Sequence, residues 1–167
     1  LITSSIELPN ILGVDTVIAK TADEMATQTK LHIKKADAII MAAAISDWKP
    51  TVASLEKIKK VGANTLNLEL TKTEDVIASI NGSELIKVGF AAETENLVQN
   101  AKIKLKEKNL DLVVANQINQ ENPVFGAETN KVVFIDKHGE EDLPEIPKYD
   151  IGHLIINRLK TMVNKNA

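Results

Sequence analysis

The apolar positions of the chain alternate between two spacings, which predict strands that alternate with helices. The continuous apolar run Ala38–Ile45 indicates a strand buried on both faces, and Leu112–Ala115 indicates a further strand. Every second residue of Ile86–Phe90 is apolar, as in a strand, whereas Thr94–Lys108 has helical spacing. Such alternation favours a parallel sheet with right-handed crossovers. We therefore predict a three-layer, Rossmann-like α/β fold, a mostly parallel sheet with helices on both faces.

The start of the chain predicts two short strands and a helix. Leu1–Ser4 has the pattern of the tail of a strand, and Val14–Ile18 is a second short apolar run. Because a domain rarely opens in the middle of a strand, we expect further sequence upstream of Leu1. Thr21 and Glu24 form a capping-box pattern, which predicts a helix of about a dozen residues.

Two segments are predicted to project from the sheet. Trp48–Gly62 contains four lysines and shows no sustained period, which indicates a long loop or flap. Leu66–Leu70 alternates like a half-buried strand and precedes a short helix at Thr73–Ile80. Val132–Ile135 and the His-Gly turn after it predict a hairpin, and a last helix begins near Tyr149. We predict one domain over residues 1–167, with a projecting flap and hairpin.

Composition limits the classes of function. The 167 residues carry a net charge of −3, so we expect no nucleic-acid or anionic-membrane partner, and no apolar run approaches the roughly 20 residues of a membrane span. The chain contains no cysteine, which excludes thiolate metal sites and favours a cytoplasmic location. Neither a P-loop nor a G-x-G-x-x-G fingerprint is present. The missing fingerprint disfavours a dinucleotide-dependent enzyme.

Two loops after predicted strands carry candidate chemistry. The strand around Ala43 leads into Asp47, and the small side chains of Ala42–Ala44 let a ligand approach the backbone. Asp47 either holds a ligand or metal ion, or caps a turn. The lysines of Glu56–Lys60 either close over a polyphosphate as a flap or form a solvated surface run.

The segment from residue 89 to residue 108 is a third candidate. Phe90 either offers a flat face to a ligand ring or belongs to the core, and Thr94 is the predicted N-cap of a helix whose free N–H groups favour anions. At about 100° per residue, Lys104 and Lys108 lie at the edge of the apolar stripe of this helix. The two lysines either meet an anionic ligand, or Lys108 compensates the helix C-terminus while Lys104 extends to solvent.

Five strings stand in a characteristic order. They are Ala42–Trp48 (AAAISDW), Glu56–Lys60 (EKIKK), Leu70–Ile77 (LTKTEDVI), Val88–Thr94 (VGFAAET) and the span Lys104–Asn116 (KLKEKNLDLVVAN). Together they resemble the phosphopantothenate–cysteine ligase family, whose strings read AAAVADW, EKIKK, L-x-K-(N/T)-P-D-I-(L/V), VGFAAET and K…K-N-L-D…A-N. The family's C-terminal pattern is also similar at Phe125, Gly126 and Asn130.

The resemblance implies a ligase of coenzyme A biosynthesis. Such an enzyme joins 4′-phosphopantothenate to cysteine through an acyl-nucleotide (acyl-cytidylate) intermediate, using CTP or ATP with Mg²⁺ and releasing pyrophosphate and CMP. The resemblance also implies a homodimer, and it implies that a glycine-rich unit with the Asn that stabilises the intermediate lies upstream of Leu1. The alternative hypothesis is a non-catalytic nucleotide- or coenzyme-binding module.

The resemblance further implies roles for single residues. Lys57 would be the catalytic lysine that closes on the reacting phosphates, and Asp47 would lie near the ribose, the base or the metal ion. The implied nucleotide-binding residues are Ala43, Ala44, Asp47, Lys57, Asp75, Val76, Ile77, Phe90, Lys104 and Lys108.

Overall fold

A computed structural model describes residues 1–9, 11–54, 56–59, 65–82, 84–118 and 126–166 of the chain. The predicted flap residues Lys60 and Gly62, and Phe125, lie outside the described residues. The strands and helices are, in chain order, β1 (Ile2–Thr3), β2 (Val17–Ile18), α1 (Ala22–His32), β3 (Ala38–Met41), β4 (Trp48–Pro50), β5 (Leu70–Lys72), α2 (Val76–Ser79), β6 (Ile86–Glu93), α3 (Leu97–Glu107), β7 (Leu112–Gln117), β8 (Thr129–Asn130), β9 (Val132–Asp136), β10 (Gly139–Asp142), β11 (Ile146–Pro147) and α4 (Lys148–Asn166).

The chain divides into two compact units. The first unit comprises Leu1–Thr29 and Ala43–Val76, and the second comprises Lys30–Ala42 and Ile77–Ala167. The single-domain assignment over residues 1–167 stays a prediction.

The second unit contains a five-stranded sheet in the order β10-β9-β7-β6-β3. Strands β3, β6 and β7 run parallel, as the strand–helix alternation predicts. Strand β9 is antiparallel to β7, and β9 and β10 form the predicted hairpin. The second unit therefore has an α/β fold, and its sheet has a parallel part, β3, β6 and β7, and an antiparallel edge, β9 and β10.

Alternating side chains of the central strands pack against a different helix on each face of this sheet. On one face, Val88, Leu112, Val114 and other buried residues of β6, β7 and β9 form a cluster with Ile151, Ile155 and Leu159 of α4. On the other face, Ala91, Val113, Ala115 and Ile135 form a cluster with Ala101 of α3. The predicted three layers, with helices on both faces of the sheet, are confirmed in the second unit.

Strand β3 differs from its prediction in length and burial. The run Ala38–Ile45 was expected to form one strand buried on both faces, but β3 ends at Met41 and is only half-buried. It lies at the edge of the sheet, and its pairing with β6 ends where Met41 meets Gly89. Apolar composition alone does not distinguish a central strand from an edge strand, which explains the error.

Helix α3 begins at Leu97, and the prediction that Thr94 is its N-cap is wrong. The N-cap residue is Asn96, which is left-handed with φ of 50° and makes no side-chain capping hydrogen bond. Strand β6 continues to Glu93 because it pairs with β7 as far as Gln117, and the Ile118 N–H donates to the Glu93 carbonyl at 2.8 Å. This pairing displaces the start of the helix beyond Thr94.

The predicted helix start near residue 21 is confirmed in the first unit. The Glu24 N–H donates to Thr21 Oγ1 at 3.2 Å, and the Lys20 N–H donates to Glu24 Oε2 at 2.6 Å. The glutamate therefore reaches one residue farther back than in a standard capping box. The helix that follows has 11 residues.

The first unit also contains an antiparallel arm, in which β4 pairs with β5. The prediction of a half-buried strand at Leu66–Leu70 is wrong, because only Leu70 belongs to β5 and the leucines at positions 66, 68 and 70 are exposed. A two-stranded ribbon has no third strand to widen its apolar face. Among the described residues, no helix combines the length and apolarity that crossing a bilayer requires.

Gly89 permits a close approach between β6 and the loop after α3. A Cβ built on Gly89 would lie 2.7 Å from Leu110 Cδ1, which is shorter than real carbon contacts. Leu110 packs against the α3-side cluster, which limits how far it can move. The absence of a side chain at Gly89 thus lets Leu110 pack directly against β6 and cover this part of the core.

Candidate functional site

A small polar cluster lies at the carboxyl end of β6 in the second unit. Glu93, the last residue of the strand, accepts hydrogen bonds from Lys104 Nζ at 2.6 Å and from Asn100 Nδ2 at 3.0 Å. The Glu93 side chain is 15% exposed and that of Lys104 is 37% exposed. Ligands of open parallel sheets bind beyond the carboxyl ends of the strands, so this cluster lies where a ligand is expected.

The electrostatics of Glu93 follow from its partners. The hydrogen bond from Lys104 is the main reason why the pKa of Glu93 is lowered, and the Asn100 amide adds to the effect, whereas burial opposes it. An ammonium has three N–H donors, and one donates to Glu93. Lys104 is therefore oriented by Glu93, and no other hydrogen bond of its ammonium is seen within the described residues, which leaves donors for an anion.

The lowered pKa of Glu93 predicts an acid-dependent contribution to stability. The ionised carboxylate stabilises the fold at pH values above its unfolded pKa, and this contribution is lost as the pH falls through the lower, folded-state pKa. We expect Glu93→Gln to lower the free energy of unfolding by about 1 kcal/mol at pH 7. Urea titrations at pH 7 and at a series of lower values should show this difference shrinking with acid.

Glu107 supplies the matched control for this prediction, since it is an exposed glutamate on the same helix. Glu107→Gln should change the free energy of unfolding by less than about 0.5 kcal/mol at every pH. A penalty for Glu93→Gln that is as large in acid as at pH 7 would contradict the electrostatic explanation.

Phe90 is an exposed aromatic residue of β6, whose first four residues are buried. It is 39% exposed, whereas Val88 on the same face is fully buried. By alternation Phe90 shares the face that packs on α4, while Glu93 and Lys104 lie on the α3 face. A single ligand that contacts both Phe90 and Lys104 would therefore have to extend from one face of the sheet to the other, past the carboxyl ends of the strands.

Lys108 is the C-cap residue of α3, one turn after Lys104, and its carbonyl accepts a hydrogen bond from a buried lysine. The ammonium of Lys87, which is 4% exposed, donates to the carbonyls of Lys108 at 3.1 Å and Ile80 at 3.2 Å. Lys87 is the second residue of β6, so the backbone of Lys108 lies near the amino end of that strand. The side chains of Lys104 and Lys108 are half-buried, as their predicted place at the edge of the apolar stripe requires.

In the first unit, the predicted site residues meet at the turn after β3. Ala43 and Ala44 are exposed, and the Ile45 N–H donates to the Ala43 carbonyl at 3.1 Å. The Thr73 N–H donates to the Asp47 carbonyl at 3.0 Å, which brings the segment before Asp75 beside Asp47. The Asp47 carboxylate is exposed and makes no bond within the described part of the chain.

Burial differs among the three predicted site residues Asp75, Val76 and Ile77. Asp75 is exposed, whereas Val76 and Ile77 are 3% and 6% exposed at the start of α2. The apolar side chains belong to the core, so a ligand could meet these two residues only through their backbone. Their nucleotide-binding role stays a prediction.

Lys57 lies on the segment that joins β4 to β5, as the flap prediction requires. Its side chain is exposed and makes no hydrogen bond or ion pair with the other described residues. The base of the arm is held by the Thr51 N–H, which donates to the Glu69 carbonyl at 3.0 Å. Lys72 Nζ lies 5.8 Å from the centre of the Trp48 ring and strengthens the base of the arm. Among the described residues, nothing occupies the donors of the Lys57 ammonium, which suits the binding of a ligand.

Asp47 is the residue of the first unit that was predicted to hold a metal ion. Mg²⁺ usually binds one or two carboxylates together with substrate phosphates, and the exposed Asp47 carboxylate, which has no bond to other described residues, is compatible with that requirement. Within the described ranges, no three Asp, Glu or His side chains gather into a metal site.

Sequence reasoning missed three polar residues of the second unit. Glu93 stands in the VGFAAET string with no predicted role, and no prediction concerns Asn100 or Lys87. A signal for Lys87 was present, because a lysine inside an apolar strand must have partners for its ammonium. The partners of Glu93 depend on where α3 crosses β6, and a linear pattern does not contain that crossing.

Comparison with known proteins points to one family. The sequence matches the DNA/pantothenate metabolism flavoprotein C-terminal domain over residues 1–162. It is 40% identical over 151 residues to the Coenzyme A biosynthesis bifunctional protein CoaBC of Borreliella burgdorferi, which covers 88% of this chain and 38% of that protein. The chain therefore spans less than half the length of this relative.

Solved structures share the fold. The crystal structure of the C-terminal domain of a CoaBC protein has a TM-score of 0.76 and 26% identity, covering 95% of this chain and 71% of that one. A Cab2 variant in complex with phosphopantothenate-cysteine has a TM-score of 0.69 and 19% identity, covering 90% of this chain and 53% of that one.

Proposed function

Because the chain belongs to the family of DNA/pantothenate metabolism flavoprotein C-terminal domains, we propose that it is the domain that joins 4′-phosphopantothenate to cysteine in coenzyme A biosynthesis. The observation that carries the proposal is the 40% identity, over 88% of the chain, to a bifunctional protein of coenzyme A biosynthesis. The lysine ammonium groups at the carboxyl end of β6 and on the arm support it, because each can bind an anionic group of a substrate.

The chemistry begins with the activation of a carboxylate. A carboxylate oxygen of phosphopantothenate attacks the α-phosphorus of a nucleoside triphosphate, CTP or ATP, and forms an O–P bond while the bond to the bridging oxygen breaks. Pyrophosphate leaves, and an acyl-nucleotide remains. Two anions must meet in this step, so fixed positive charge and orientation supply much of the barrier reduction.

Two lysines of the chain suit this step for different reasons. Lys57 is exposed on the arm and free of partners within the described residues, so it can follow the charge that develops on the reacting phosphates. Lys104 is held by Glu93 at 2.6 Å and offers a fixed ammonium at the carboxyl end of β6. Lys108 would add a second cation from the same helix.

The first unit carries further proposed nucleotide-binding residues. Ala43 and Ala44 are exposed at the turn after β3, and the exposed carboxylate of Asp47 would bind the ribose or Mg²⁺. When bound, Mg²⁺ neutralises phosphate charge and polarises the phosphoryl oxygens. Phe90 offers an aromatic face for packing on the nucleotide.

The second step forms the amide. The cysteine amine attacks the acyl carbon, the C–N bond forms, the C–O bond to the phosphoryl group breaks, and the nucleoside monophosphate leaves while the nitrogen loses a proton. We propose that the domain works as a homodimer, as the family resemblance implies.

Pyrophosphate release tests the proposal. We expect the protein to release pyrophosphate from CTP or ATP when phosphopantothenate is present, and to form phosphopantothenoylcysteine when cysteine is added. The assay with each nucleotide in turn identifies the co-substrate. Binding of nucleotide with no pyrophosphate release under any combination would favour the non-catalytic module and overturn the proposal.

A further inference from the structure

Lys87 is a buried charged residue to which the proposed reaction gives no part. It is the second residue of β6 and lies between the buried side chains of Ile86 and Val88 in the sequence. Lysine is rarely buried, because removing an ammonium from water costs free energy unless the group is paired. The partners of the Lys87 ammonium therefore indicate what the residue does.

Both partners are carbonyls at the ends of helices in the second unit. Ile80 directly follows α2, and Lys108 is the C-cap residue of α3. The Lys87 ammonium donates to the two carbonyls at 3.2 Å and 3.1 Å respectively. The last carbonyls of a helix have no partner within the helix, and they carry its negative partial charge. Lys87 therefore supplies a donor and a positive charge to the ends of α2 and α3.

The backbone of Lys87 holds the same end of α3. Its N–H donates to Asp111 Oδ2 at 2.8 Å, and the Asp111 N–H donates back to the Lys87 carbonyl at 2.8 Å. Within the turn, the Leu110 N–H donates to the Leu105 carbonyl at 2.9 Å, a bond that closes the end of a helix. The backbone of Lys108 is therefore held by its own turn and by strand β6.

This anchoring matters because Lys108 is one of the proposed phosphate-binding lysines. Its N–H donates to the Lys104 carbonyl at 3.0 Å, and side chains four residues apart lie on the same side of a helix. A phosphate that approaches Lys108 also approaches the carbonyls at the end of α3, whose negative partial charge disfavours an anion. The Lys87 ammonium, bound to the Lys108 carbonyl, offsets that charge.

We propose that Lys87 is a positioning residue for phosphate binding by Lys108. Its hydrogen bonds hold the turn that carries Lys108, and its buried charge compensates the negative end of α3. The inference rests on the proposed function, in which Lys108 binds a phosphate of the nucleotide. Because Lys87 is buried, it acts through Lys108 and not on the substrate itself.

A double-mutant cycle tests whether Lys87 acts through Lys108. Calorimetry measures the affinities of the unchanged chain, Lys87→Met, Lys108→Ala and the double variant for CTP and for ATP. We expect each single variant to bind the nucleotide about 10-fold more weakly than the unchanged chain. The double variant should bind it scarcely more weakly than Lys108→Ala alone, whereas two independent effects would multiply.

Lys106→Met is the matched control, because it removes an exposed ammonium from the same helix. It should leave nucleotide affinity within about two-fold of the unchanged chain. Circular dichroism establishes the temperature at which all the variants are folded, and the titrations are made there. If Lys87→Met does not fold, Lys87→Gln takes its place in the cycle, since glutamine keeps an N–H donor and lacks the charge.

The outcomes separate the positioning role from the proposed function. If the unchanged chain binds a nucleotide and Lys87→Met binds it equally well, the positioning role is overturned while the proposed function stands. Effects that multiply in the double variant also overturn it, because Lys87 would then support the fold without acting through Lys108. If the unchanged chain binds neither nucleotide, the proposed function fails and the positioning role with it.

Discussion

Replacing Lys57 with alanine should cut turnover by about 10²–10³-fold, the usual loss for one preorganised charge donor. The side chain is exposed and makes no hydrogen bond or ion pair with the other described residues, so its removal should leave the stability of the chain unchanged. Ground-state affinity for the nucleotide should change much less, because a residue that closes on the reacting phosphates acts mainly in the transition state. Pyrophosphate release and equilibrium nucleotide binding measure the two quantities.

Lys59 supplies the matched control for this experiment. It is an exposed lysine two residues farther along the same segment, so Lys59→Ala changes the net charge by the same amount. We expect its turnover to stay within a few-fold of the unchanged protein. If nucleotide affinity falls as much as turnover in Lys57→Ala, Lys57 is a binding residue and its catalytic assignment is wrong.

Replacing Lys87 with methionine should lower the free energy of unfolding by about 2–4 kcal/mol. The buried ammonium donates to the carbonyls of Ile80 and Lys108, so the variant leaves both carbonyls without this donor. Removing a buried charge relieves some desolvation cost, and methionine preserves the packing, which keeps the loss below that of a broken ion pair. Urea unfolding at pH 7 measures the change.

Lys106→Met is the control for Lys87, because Lys106 is an exposed lysine of α3. It should change the free energy of unfolding by less than about 0.5 kcal/mol. Equal stability of Lys87→Met and the unchanged chain would mean that relief of the buried charge offsets the lost hydrogen bonds completely. In that case, Lys87 would have no net role in holding the ends of α2 and α3.

The sequence pattern correctly predicted elements that are determined by residues close together in the chain. The capping pair at the start of α1 and the hairpin of β9 and β10 are confirmed, because turns and caps depend on residues close in the chain. The half-buried state of Lys104 and Lys108 also followed from helix geometry alone. These features need no knowledge of the tertiary fold.

The errors arose where pairing between distant residues decides the outcome. Thr94 is not an N-cap because β6 keeps its partner β7 through Glu93, and a propensity rule cannot include that partner. The partial burial of β3 depends on its place at the sheet edge.

The close approach at Gly89 has an evolutionary consequence. A methyl group there would lie 2.7 Å from Leu110 Cδ1, so the two positions share one volume. Homologues that carry a larger residue at the position of Gly89 should carry a smaller one at the position of Leu110. The two sites are therefore expected to covary, although 20 other residues separate them along the chain.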